Sequence, residues 1–394
     1  MSDSTPDSAL LPVYRTPDMV FVSGKGCTLF DDEGREYLDF TSGIGVTVLG
    51  HDSPVVRAAV ERVLDTGLIH ASNLFRTRPA EALARELTRR SGLDFAFFCN
   101  SGAEGVEGSL KFARRWARSL GGDEKHRIVA LRGGFHGRLF GSLAVTDRPD
   151  FRKPFEPLMP GVDFVDAGSP DEIDRALDPD RTAAMIVEPI QGEGGVRPLP
   201  LPLLQQIRKW TAERGIALIL DEIQCGFGRT GTLFAHEPAG IRPDLLVLAK
   251  PLANGLPIGA VLVSREVGGV MRPGDHGTTF GGGPLVTTVA LAVLETVGAP
   301  AFLEDVRKKG ERLETLLSGL GDARSSIVRE VRGRGLFRGV EVEGMASEVV
   351  DRARERGLLL VPAGKHVIRL LPALIVGEEE LERAVSILGD ALDP

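Results

Sequence analysis

Residues 216–222 read IALILDE and residues 243–250 read PDLLVLAK, two apolar runs too short for helices, each closing on charged side chains. Near-continuous apolar runs of this length are what strands of a parallel sheet need when helices cover both faces. The texture recurs on either side. FAFFC (95–99), IVAL (128–131), AAMIVEP (183–189) and IGAVLV (258–263) are bounded by Gly, Pro or Asn and read as further strands. Between two of them, PLPLLQQIRKWTAERG (200–215) sets Leu203, Leu204, Ile207 and Trp210 on one helical stripe and stops at Gly215, which predicts a crossover helix. Strands alternating with amphipathic helices make the fold class α/β.

The texture changes after about residue 286. A long helical stretch carries Leu313, Leu316, Leu317 and Leu320, then come GRGLFRGVEV (333–342), GLLLVPAGKHVIRLLPALIV (357–376) and a last amphipathic helix. This predicts a smaller α+β domain, joined by the N-terminal segment, where GCTLFDDEGREYLDF (26–40) reads as a hairpin. The expected division is residues 1–50 contributing to the small domain, 51–285 forming the large domain, and 286–394 completing the small one.

Composition narrows the function. A chain of 394 residues, 42% hydrophobic, has ample core for two domains. Its net charge of -8, without basic clustering or a basic amphipathic helix, argues against nucleic acid or an anionic membrane as the main partner. A small anionic substrate would need local arginines. The opening MSDSTPDSALLPVY has neither a basic n-region nor a long apolar h-region, and no later stretch approaches the length of a membrane span, so the cytoplasm is the expected location. Cys27, Cys99 and Cys225 form no CxxC motif, which fits a reducing compartment and leaves no metal expected.

Asp221 and Lys250, at strand ends of one sheet, are the two groups that pyridoxal phosphate chemistry needs. A lysine amine can form a Schiff base with the cofactor aldehyde, and a carboxylate can hold the pyridine nitrogen protonated so that the ring accepts electrons. A strand-end lysine is also commonly solvated, and an aspartate there commonly caps a helix, so the pair alone leaves both readings open. FFCNSGAEGVEGSLKFAR (97–114) runs a strand through Asn100, Ser101, Gly102 and Ala103 into a helix. Unpaired N–H groups and the positive dipole end there suit a phosphate, though an ordinary capped turn has the same letters. In RGGFHGR (132–138), Phe135 could stack on a flat ring and Arg138 could grip a carboxylate with two prongs. EPIQGEGG (188–195) places Glu188 at a strand end and Glu193 in a glycine loop, and Thr278 and Thr279 of HGTTFGGGPL (276–285) could donate hydroxyls to a phosphate.

Taken in order, FFCNSGAE, FHGR, EPIQGEGG, LILDEIQCGFGRTG, PDLLVLAKPLANGLPIGA and HGTTFGGGPL closely resemble the class III aminotransferases, pyridoxal-phosphate-dependent enzymes of fold type I, and most of all their acetylornithine branch. The likeness runs from EYLDFTSGIGVTVLGH (36–51) to HVIRLLPALIV (366–376). It implies a large domain with a mostly parallel sheet of the seven-stranded type, a small domain built from both termini, and active sites shared across a homodimer. The implied reaction moves the distal amino group of N2-acetyl-L-ornithine to 2-oxoglutarate, as in arginine biosynthesis.

By the same resemblance Lys250 binds the cofactor and shuttles a proton, Asp221 partners the pyridine nitrogen and Gln224 bonds the ring hydroxyl. Ser101, Gly102 and Ala103 look like the phosphate cradle, with Thr279, and also Thr278, reaching in from the other subunit. Phe135 resembles the stacking residue, Arg138 and Arg369 the carboxylate readers, and Glu193 the partner of Arg369 when no adjacent carboxylate is bound. Four positions depart from the family pattern. Gly283 stands where Asn is usual, Gly105 where Ala is, Ala373 where a second Pro is, and Phe75 where acetylornithine enzymes often have Tyr. Relatives that act on succinylornithine, ornithine, carrier-bound lysine or 4-aminobutyrate share the core motifs, and an aminomutase-type isomerase shares the fold and the lysine.

Overall fold

The structure, a computed structural model, describes residues 9–393. Near the N-terminus β1 (Phe21–Lys25), β2 (Thr28–Asp31) and β3 (Glu36–Asp39) form an antiparallel meander, so the expected hairpin is present. Seven strands make the central sheet: β4 (Phe95–Cys99), β5 (Arg127–Leu131), β6 (Val162–Val165), β7 (Thr182–Val187), β10 (Ala217–Asp221), β11 (Leu245–Leu248) and β12 (Gly259–Val263). Their order is β4-β12-β11-β10-β7-β5-β6, and all are parallel except β12, which runs against both of its neighbours. A small hairpin, β8 (Ile190–Gln191) with β9 (Arg197–Pro198), projects beyond β7.

Strand β6 was not legible as an apolar run. Asp163 interrupts VDFV, and it is there because Arg127 on the neighbouring strand donates both prongs of its guanidinium to it. The crossover helix is Leu201–Glu213, with Leu204 and Ile207 buried and Gly215 at φ +59 just past its end. That left-handed conformation is the reason the stop is a glycine.

Alternate residues of the sheet feed two apolar layers, as the pleat requires. Leu218, Leu220, Leu246 and Leu248 face one layer, and Ala217, Ile219, Leu245 and Val247 face the other with Val106 and Leu110 of the helix Gly102–Gly121. Each fully buried Leu or Ile side chain contributes about 1.5–3 kcal/mol. Gly105 of that helix would carry a Cβ 2.8 Å from Val247 Cγ1, so the β-branched strand residue occupies the space an alanine would need.

A second sheet, β13 (Val328–Arg334), β14 (Phe337–Val342), β17 (Val367–Leu370) and β16 (Val361–Pro362), is antiparallel and carries Arg369 opposite Gly339. Strand β15 (Leu358–Leu359) belongs to the N-terminal sheet, where it pairs in parallel with β3 and ties that meander to the C-terminal part of the chain. The helices Pro300–Ala323, Ala346–Glu355 and Glu378–Leu392 cover this part, while Pro284–Val297 packs on Pro54–Thr66 and Arg78–Ser91. Gly283 caps Pro284–Val297 with no side-chain bond, so that end gives up the contact an Asn would make. No single helix among the described residues is long and apolar enough to cross a membrane.

The turn after β3 is organised by one carboxylate. Asp39 Oδ1 accepts from Thr41 N at 2.9 Å, Thr41 Oγ1 at 2.7 Å and Ser42 N at 2.9 Å, and Oδ2 lies 2.9 Å from His51 Nε2. Burial pushes the Asp39 carboxyl up, but the bonds from His51 and Thr41 outweigh it, so its pKa stands below the ordinary 3.8. Asp39→Ala should lower unfolding free energy by about 1–3 kcal/mol at neutral pH, because buried donors lose their acceptor. A group with a depressed folded pKa stabilises above its unfolded value and loses that contribution as pH falls through the folded one. Denaturant melts of wild type and variant should therefore differ at pH 7 and converge in strong acid; a pH-independent gap would contradict the assignment.

Candidate active site

Asp221 ends β10 and pairs with Val247 of the adjacent parallel strand β11, so Lys250 emerges beside it. Around them Gly102, Ala103, Phe135, His136, Gly137, Arg138, Glu188, Glu193, Ile223 and Gln224 line a cavity of about 260 Å³. Eight of the residues singled out in the sequence thus meet at one place: Gly102, Ala103, Phe135, Arg138, Glu193, Asp221, Gln224 and Lys250. Arg369 reaches the same place from β17, its Nη2 2.7 Å from Glu193 Oε1 and its Nη1 donating to Gln224 Oε1 at 2.8 Å. It is 2% exposed, so the guanidinium is held by those partners and not by water.

The floor of the site is a helix end. Ser101 caps Gly102–Gly121, its Oγ accepting from Glu104 N at 3.2 Å, which leaves the N–H groups of Gly102 and Ala103 without intrahelical partners. A Cβ at Gly102 would stand 2.7 Å from Ile223 Cδ1, so any larger residue here would have to displace the Ile223 side chain on the turn after β10. Lys250 sits on a turn pinned by Asn254, whose Oδ1 accepts from Leu49 N at 2.6 Å and whose Nδ2 donates to Gly50 O at 3.1 Å. Burial lowers the Lys250 pKa, and the positive charge of Arg369 lowers it further.

Three residues of the site were not assigned a role from sequence. His136 Nδ1 lies 2.8 Å from Asp221 Oδ2, and both side chains are almost fully buried. Burial opposes a charge on His136, but the hydrogen bond and charge of Asp221 prevail and raise its pKa. Glu188 accepts from Phe135 N at 2.9 Å and from Gly192 N at 3.2 Å, joining the loop after β5 to the loop after β7. Ile223 forms one wall. A lone His or Ile carries no sequence signal for such a place; Glu188, at a strand end before Pro189, carries a faint one.

Thr278 and Thr279 are not in this cavity. With Phe75 they line a second one of about 760 Å³ beside the edge strand β4, where Thr278 Oγ1 accepts from Asn100 Nδ2 at 3.1 Å.

A family model, aminotransferase class-III, matches residues 12–392. The chain is a class-III aminotransferase. It is 47% identical over 385 residues to the mitochondrial acetylornithine aminotransferase of Alnus glutinosa, covering 96% of this chain and 84% of that protein. It is 46% identical to the acetylornithine aminotransferase of Gloeobacter violaceus, with 96% and 94% covered. Among solved structures, the N-acetylornithine aminotransferase of Stenotrophomonas maltophilia superposes with a TM-score of 0.83 at 34% identity, covering 95% and 96%. The ornithine aminotransferase of Toxoplasma gondii gives 0.92 at 32% identity, covering 98% and 92%.

The cofactor of this enzyme is pyridoxal 5′-phosphate. The residues present fit it: a free helix N-terminus beside a close-packed glycine, a half-buried lysine with a lowered pKa, and a buried carboxylate at a strand end are gathered around one cavity.

Burial raises the Glu188 pKa from the ordinary 4.5 to about 7, with the positive charge of His136 pulling the other way and the negative charge of Asp221 adding to the rise. An acid with a raised folded pKa binds its proton in the folded state where the unfolded chain has released it, so stability should fall as pH climbs from about 4.5 to about 7. Glu188→Gln should flatten that slope in unfolding measured across this range. An unchanged slope would place the titration elsewhere.

Proposed function

We propose that the enzyme transfers the distal amino group of N2-acetyl-L-ornithine to 2-oxoglutarate, giving N-acetyl-L-glutamate 5-semialdehyde and L-glutamate. The observation that carries this reading is the Arg369–Glu193 pair, closed at 2.7 Å in the cavity that Lys250 enters. A donor reacting through its distal amine brings no carboxylate next to the reacting carbon, and a closed pair suits it. Glutamate does bring one, and Arg369 must then be open. The acetylated donor is supported by the relatives named above, which are acetylornithine aminotransferases at 46–47% identity.

Bound pyridoxal phosphate supplies an aldehyde that exchanges amine partners and a ring that accepts electrons from the substrate carbon. The chain's own groups do the rest. Lys250 would hold the cofactor and then move the proton of the substrate carbon with its Nζ, a task that the downward shift of its pKa favours. Asp221, oriented by His136, would hold the proton of the pyridine nitrogen. Gly102 and Ala103 offer N–H groups to the phosphate, Ser101 sets that helix end, and Phe135 covers the ring face. Gln224, which accepts from Arg369 Nη1, would bond the ring hydroxyl. Arg138 takes the far carboxylate of either amino donor, and Glu193 is the gate on Arg369.

We further infer a cytoplasmic homodimer with shared sites, in which Thr279, with Thr278, completes the partner's phosphate cradle. What supports it is the surface around these threonines, where Leu74, Phe75 and Phe280 are 87%, 72% and 67% exposed, an apolar rim that a second copy would cover.

Borohydride reduction of the holoenzyme followed by peptide mapping should recover the cofactor on Lys250, and Lys250→Ala should abolish turnover. Recovery on another lysine would refute the assignment. Glu193→Ala should favour the glutamate half-reaction over the N2-acetylornithine half by about tenfold or more, roughly 1.4 kcal/mol. Arg369→Ala should do the reverse, and Arg138→Ala should slow both. Single-turnover rates measured separately decide the matter; equal losses in both halves for Glu193→Ala would leave that residue as scaffolding.

A further inference from the structure

TDRPDF, residues 146–151, takes no part in the cofactor chemistry, yet it meets both the loop that carries Arg138 and the loop that carries Glu193. Thr146 Oγ1 accepts from His136 N at 2.9 Å, and its proton is shared between Ser142 O at 2.9 Å and Gly137 O at 3.2 Å. Asp147 Oδ2 accepts from Gly133 N at 2.8 Å, and Asp147 N donates to Gly134 O at 2.9 Å. Arg148 Nη2 donates to the carbonyl of Glu193. Phe151 then lies face-on to Arg138, the guanidinium carbon 3.6 Å from the ring centroid. Phe135, at 5.9 Å, is the looser of the two aromatic contacts of Arg138.

This contact matters because Arg138 is exposed and makes no hydrogen bond or ion pair among the described residues. A long side chain so placed would spread over many rotamers, and ordering it would subtract from the affinity of whatever it binds. Stacking restrains it at little chemical cost. All five N–H donors of a guanidinium lie in its plane, so a ring against its face leaves the whole fork free for a carboxylate.

We propose that Thr146–Phe151 is a positioning bracket for substrate carboxylates. Phe151 holds Arg138 in its reading orientation, and Arg148 holds the backbone of the Glu193 loop, so one short segment sets the distance between the two carboxylate-handling groups. The inference rests on the carboxylate-reading role of Arg138 proposed above. Phe151 is a positioning residue: it acts on substrate only through Arg138.

The test uses the holoenzyme with glutarate as an unreactive dicarboxylate probe, together with half-reaction rates for N2-acetylornithine and for pentylamine, which has no carboxylate. Phe151→Ala should weaken glutarate binding by about fivefold, the upper worth of a cation–π contact at an exposed site. It should also raise KM for N2-acetylornithine while kcat and the pentylamine rate hold, and Phe151→Tyr should restore binding. Arg138→Ala should lose glutarate more completely. Glutarate binding by Phe151→Ala within about twofold of wild type, beside a clear loss in Arg138→Ala, would overturn the bracket and leave the reader standing. An equal fall with pentylamine would also overturn it, by reducing Phe151 to general scaffolding. Wild-type glutarate affinity in Arg138→Ala would remove the reader role itself, and the bracket with it.

Discussion

Parallel pairing of β10 with β11, in the register that sets Asp221 opposite Val247, is the constraint on which the site depends. Strands running the same way bring their carboxyl ends to one edge of the sheet. Because β4, β5, β7, β10 and β11 share a direction, the loops that follow them open at that edge together. The helix end at Gly102, the Phe135 loop, the Glu193 loop, the turn of Gln224 and the turn of Lys250 all meet there. The single reversed strand, β12, lets the chain return from Lys250 without displacing any of them.

The two ion pairs of the cavity differ in their access to water. Asp221 and His136 are both nearly fully buried and only 2.8 Å apart, so separating them would strand two charges in a poor solvent. Glu193 keeps 31% of its side chain exposed while Arg369 keeps 2%. That asymmetry is what the proposed exchange of Glu193 for a substrate carboxylate on Arg369 would draw on. Burial of Lys250 beside that arginine favours the neutral amine, so the closed pair and the reactive lysine are electrostatically linked.

The hydrogen bonds that aim these groups come mostly from residues with no chemistry of their own in the reaction. Glu188 ties the Phe135 loop to the Glu193 loop through two backbone N–H groups. Asn254 fastens the lysine turn to Leu49 and Gly50, some two hundred residues earlier in the chain. Contacts of that sequence separation form only when the sheet and the N-terminal segment are already in place.

Read alone, the sequence determined the α/β class, the positions of most strands and the pair of charged strand-end residues, Asp221 and Lys250, that the fold brings to one cavity. Each of those is local: an apolar run of strand length, a glycine at a left-handed helix stop, a charged residue at a strand end. Strand β6 escaped because Asp163 breaks its apolar run, and its reason for being there is Arg127 on the next strand. His136 and Ile223 were silent because one histidine or isoleucine between glycines or beside a carboxylate has no period and no spacing to read. The tertiary structure alone decided that Asp221 bonds to a histidine from a different loop, that Glu193 closes on an arginine from the C-terminal sheet, and that Phe151 lies under Arg138. Those pairings join residues 85, 176 and 13 positions apart. Local propensity has no term for such meetings, which come from the order and direction of the strands.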